Sequence, residues 1–168
     1  MHNGQASLAR DSEQRLRVLE KSAEQMSETL FARNIRILRL ALSAWIASAS
    51  GDAQTGVQHL RDAAELELQT PKHAVTPGPT IPAYELLGDL LARHGKHNEA
   101  LIAYEQALAH YPGRFNSLIG AARSARETGV HEKARTFYEQ LSGMADPKSR
   151  RTGLSEARQY LTQSPRTQ

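Results

Sequence analysis

The sequence predicts an all-α protein, and three observations carry that expectation. Residues 81–114, IPAYELLGDLLARHGKHNEALIAYEQALAHYPGR, hold small and apolar residues at helical spacing in two runs parted by a glycine. The same spacing returns in register at residues 115–148. Stretches of period-2 alternation rich in β-branched residues are absent, so almost no sheet is expected. Aromatics at 5% and a charged fraction of 23% suit helices packed through small residues.

In chain order, residues 1–6 are polar and are expected to be disordered. Within residues 7–36 a helix is predicted from Ser7 to Met26, with Leu8, Leu16, Leu19, Ala23 and Met26 as an intermittent apolar face. A second helix should start near Ser27 or Glu28 and run into the next segment. Residues 37–70 form a degenerate helical pair, with Leu40, Ala44 and Ala47 before Gly51, and Gly56, Leu60 and Ala63 after it. Residues 71–80, PKHAVTPGPT, interrupt the pattern with three prolines and a glycine and cannot continue a helix. They read as an inserted loop, with Pro82 in the first turn of the helix that follows.

The strongest unit is 81–114. Counting Ile81 as its first position, Tyr84, Leu87, Gly88 and Leu91 fill positions 4, 7, 8 and 11, and Gly95 fills position 15. Ala100, Tyr104, Ala107 and Pro112 follow at 20, 24, 27 and 32. Two helices cross closely only where small residues face each other, as Gly88 and Ala100 would. Gly95 ends the first helix by accepting a left-handed backbone, and Pro112 with Gly113 stops the second. Residues 115–148 repeat the scheme with Leu118, Ala121, Ala122, Ala125, Gly129, Ala134, Tyr138 and Leu141. A capping helix over 149–162, bearing Leu154, Tyr160 and Leu161, should cover the last apolar surface, with 163–168 as a disordered tail.

Those residues at those positions closely resemble the tetratricopeptide repeat, a unit of two antiparallel helices. The resemblance implies a right-handed solenoid of about three helical hairpins with flanking N- and C-terminal helices. The order of degenerate unit, proline-rich loop and strong unit resembles the C-terminal part of larger bacterial proteins of this family. The repeat itself implies a protein–protein interaction scaffold that holds a partner's peptide or helix in a concave groove. The alternative is an accessory or regulatory C-terminal domain of a larger enzyme or multi-repeat protein, without activity of its own.

In such repeats positions 2, 5, 9, 12 and 13 of each first helix line the groove. Transferred here, they select Glu85, Asp89 and Arg93 in one unit and Asn116, Ile119, Arg123, Arg126 and Glu127 in the next, with Trp45 at position 9 of the degenerate unit. The expected groove is acidic on one side and basic on the other. Repeats that clamp acidic chaperone tails carry Lys and Asn where this chain has Glu85 and Asp89, so that use is not expected.

The residues point away from catalysis. There is no cysteine, hence no thiolate nucleophile or thiolate metal site. His94 and His97 flank Gly95 on a turn, without further ligands in the pattern. Glu85 and Asp89 lie one helical turn apart without a nucleophile or a phosphate-binding glycine loop. No enzyme, cofactor or metal is expected. The N-terminus lacks the apolar segment of a signal peptide, and the longest apolar run, residues 40–50, is shorter than a bilayer span. A cytoplasmic protein without a membrane partner is the expectation. Net charge is +1 for residues 1–36, −2 for 37–114 and +4 for 115–168. The basic excess around Lys148, Arg150 and Arg151 has no interleaved aromatics to stack bases, so nucleic acid is not an expected partner. Self-association through the N-terminal helices is a further expectation.

Overall fold

The computed structural model describes residues 3–71, 79–146 and 148–163. Among these residues it contains eight α-helices and no strand. The chain divides into two compact units, Met1–Leu90 and Leu91–Gln168. Helix α4 (Ala83–Arg93) runs across the division.

The first unit begins with α1 (Asn3–Gln25) and α2 (Thr29–Ala49). Helix α1 therefore starts inside the stretch expected to be disordered, and α2 starts eight residues before Ile37. The turn between them is closed without glycine. Ser27 takes a left-handed backbone at φ 60°, and the Glu28 amide donates back to the Ala23 carbonyl at 2.9 Å. The apolar residues of α1 split over two faces: Leu16 and Ala23 are half-buried, whereas Leu8, Leu19 and Met26 are exposed. Polar contacts hold α1 to α2 alongside the apolar ones. Glu20, itself buried, accepts from Arg39 Nε at 2.5 Å and lies 3.8 Å from Arg36. Glu13 accepts from Ser43 Oγ at 3.3 Å and from Arg17 at 2.8 Å.

Helix α3 (Ala53–Gln69) follows a turn at Gly51, and the Asp52 side chain caps it by accepting from the Thr55 amide at 3.0 Å. Ile37 and Leu40 of α2 pack with Ala63 and Ala64 of α3 and with Ala83. Ala44 and Gly56, which hold positions 8 and 20 of the degenerate unit, cross closely: a Cβ on Gly56 would meet the Ala44 carbonyl oxygen at 2.8 Å. Residues 72–78 of the inserted loop lie outside the described residues. Across that loop, buried Glu67 Oε2 accepts from the buried Ala83 amide at 3.1 Å, so a carboxylate of α3 holds the amide end of α4.

The second unit holds α5 (His97–His110), α6 (Phe115–Glu127), α7 (His131–Gly143) and α8 (Thr152–Gln163). The α4–α5 turn uses Gly95 at φ 71°, with the Lys96 amide bonded to Leu91 and the Gly95 amide to Ala92. Gly129 closes α6 in the same way, with Val130 bonded to Ala125 and Gly129 to Arg126. This is the Schellman arrangement, which satisfies carbonyls left over at a helix end. The core gathers Leu118, Ile119, Ala122, Tyr138 and Leu141 with Leu154 and Ala157 of α8. Helix α8 starts at Thr152, three residues into the segment 149–162 assigned to it, and ends at Gln163. Residues 164–168 of the expected tail lie outside the described residues.

Candidate functional site

Helix α2 carries more apolar surface than its neighbours use. One face goes to α3 through Ile37, Leu40 and Ala44. A second goes to α1 through Arg36, Arg39 and Ser43. The Glu20 hydrogen bond outweighs the cost of burial and holds the Arg39 pKa above its ordinary value, so that face is fixed by charge. Phe31, Ile35, Leu38, Leu42 and Trp45 occupy the remaining face at intervals of 4, 3, 4 and 3 residues. That spacing draws one stripe along a helix and is the pattern by which a second helix packs. Phe31 and Leu38 are each 60% exposed, and Ile35, Leu42 and Trp45 are half-buried. Trp45 was selected from its repeat position. The other four were missed because the repeat template starts at Ile37 and cuts the stripe in two.

The other expected groove residues are distributed unevenly. Glu85 is only 1% exposed and lies inside, not on a surface. Helix α4 is buried round most of its circumference at Ala83, Leu87, Gly88, Leu90 and Leu91, and Glu85 goes in with them; Pro82, expected in its first turn, lies just before it. Asp89 and Arg93 are exposed further along α4. Arg93, in the last turn, complements the negative end of the helix dipole.

On α6, Asn116, Arg123 and Arg126 all meet groups from α8 or its approach. Glu156 accepts from Arg123 Nε at 2.9 Å and Nη2 at 2.6 Å, and from Arg126 Nη1 at 3.4 Å. It also accepts from the Tyr138 hydroxyl at 2.6 Å. Asn116 Oδ1 accepts from Arg151 at 3.5 Å, and the Arg151 guanidinium lies 3.6 Å over the Phe115 ring. Burial pushes the Glu156 carboxyl up, but the Arg123 and Tyr138 hydrogen bonds outweigh it and leave the group below the ordinary carboxylate range. The Tyr138 hydroxyl is raised, by burial first and by the adjacent carboxylate second. Sequence reasoning expected α8 to cover apolar surface. Its Glu156 also pairs with both arginines assigned to the basic side of the groove.

Among the described residues, no group of three or more His, Asp or Glu side chains is placed to hold a metal ion. No described helix is long and apolar enough to cross a membrane. Paired helices closed by short turns make this a helical-hairpin protein, with an apolar row along α2 that is exposed at Phe31 and Leu38. Residues 81–114 match the tetratricopeptide repeat family model, and this segment of the chain is a tetratricopeptide repeat. No curated protein matches the chain. A repeat of this kind points to a protein–protein interaction module.

Proposed function

We propose that the protein is an interaction module whose first unit binds an amphipathic helix of a partner protein along α2. The stripe Phe31–Ile35–Leu38–Leu42–Trp45 carries the reading. Phe31 and Leu38 are well exposed beside three half-buried apolar side chains, and exposed apolar residues aligned on one helix face support a contact surface. Trp45 is the natural anchor, since half-buried aromatics dominate the energetics of such contacts. Within the second unit, Asn116, Arg123 and Arg126 offer a polar surface of their own, where a partner's carboxylate would have to replace Glu156 at the two arginines.

A scaffold role fits the tetratricopeptide repeat at residues 81–114. The test is capture of partners from host lysate by the wild-type chain and by Leu38→Asp, with circular dichroism showing both equally helical. Loss of a captured protein only with Leu38→Asp supports the stripe. The same captured set with both chains removes it.

A further inference from the structure

The outer face of α1 carries a second pattern, and it is self-complementary. Leu8, Asp11, Arg15 and Val18 stand at intervals of 3, 4 and 3 residues, which places them on one face of the helix. All four are exposed, Leu8 at 67% and Val18 at 60%. Read forward the order is apolar, acid, base, apolar, and read backward it is apolar, base, acid, apolar. An antiparallel copy of the same helix therefore sets Leu8 against Val18 and Asp11 against Arg15, twice over. A parallel copy would set like charges against each other.

Gln14, Arg15, Val18 and Leu19 of α1 border a shallow, open and apolar depression. In the antiparallel register Leu8 of the second copy lies over this four-residue hole, as a knob does in helix packing.

We propose that the protein forms a two-fold symmetric homodimer through α1, with antiparallel helices, reciprocal Asp11–Arg15 ion pairs and Leu8 of each copy seated in the other's depression. A two-fold contact uses the same patch on both copies, which is the symmetry this pattern has. The contact is one helix wide, so association is of micromolar order and concentration-dependent. It involves α1 alone and is independent of the α2 stripe.

Sedimentation velocity on the full chain, over concentrations from micromolar to millimolar, tests it. The wild type should move from monomer to dimer mass. Asp11→Arg alone, or Arg15→Glu alone, places like charges opposite each other and should weaken association at least about tenfold. The double swap Asp11→Arg/Arg15→Glu restores both pairs and should restore the dimer, with circular dichroism confirming helicity throughout. A chain without cysteine allows a second readout. Leu8→Cys and Val18→Cys proteins should cross-link when mixed but not singly, because antiparallel pairing keeps like positions about 15 Å apart. A wild type that stays monomeric overturns the proposal. So do single reversals that dimerise like wild type, a double swap no better than the singles, or homotypic cross-links.

Discussion

The ring of Tyr104 lies so close to Gly120 that a Cβ at that glycine would come within 2.3 Å of the ring's Cζ. Tyr104 is 3% exposed, so the ring has little room to retreat. Helices α5 and α6 meet here because one of them has no side chain at the crossing. Gly120→Ala should therefore destabilise the second unit by about 1–3 kcal/mol, read as a lower Tm. Adding Tyr104→Leu should recover part of the loss. A Gly120→Ala protein as stable as wild type would contradict the packing described.

Glu156 gathers two arginines and a tyrosine at one carboxylate. Glu156→Ala leaves Tyr138 and both guanidiniums without that acceptor and should cost about 2 kcal/mol. Glu156→Gln, which keeps one carbonyl acceptor, should cost less. Urea unfolding monitored by circular dichroism distinguishes the two.

The same cluster gives the stability curve two limbs. The Glu156 pKa is depressed in the folded chain, so its contribution is present above the ordinary carboxylate range and is lost as pH falls through the lower folded value. Tyr138 is raised, so its contribution is present below about pH 10 and is lost as pH rises through the higher folded value. Glu156→Gln should flatten the acid limb of Tm against pH, and Tyr138→Phe the alkaline limb. Curves identical to wild type in both would contradict the assignment.

Glu67 reaches from α3 to the Ala83 amide at the start of α4. Glu67→Ala should lower stability by about 1–3 kcal/mol by leaving a buried amide unsatisfied. Native-state hydrogen exchange at Ala83 reads the local consequence directly. Unchanged protection would show that the bond contributes nothing.

The features legible in the sequence were those set by short-range chemistry. Glycines that close a helix can be read one residue at a time, and Gly51, Gly95 and Gly129 each take a positive φ in the turn expected of them. The small-residue crossing of Ala44 and Gly56 followed from spacing within one hairpin. Glu156 was missed because its partners on α6 lie 30 and 33 residues earlier, and no local pattern joins them. Glu85 was misread because its repeat position gives a direction round the helix without saying how much of α4 is enclosed. The α2 stripe was in plain view as a 4-3-4-3 spacing, but fitting the 34-residue template first divided it. For α1, the apolar residues were legible, but only the exposures separate those that meet α2 from those that face outward.

The α2 stripe is tested most directly by selecting helical peptides from a display library against the full chain and measuring their binding to wild type and to Leu38→Asp and Trp45→Ala. The account predicts selected sequences with apolar residues at i, i+3, i+4 and i+7 that bind wild type and lose at least about tenfold in affinity with either substitution. Selected peptides that bind all three proteins alike, or a selection that enriches no amphipathic pattern, would contradict it.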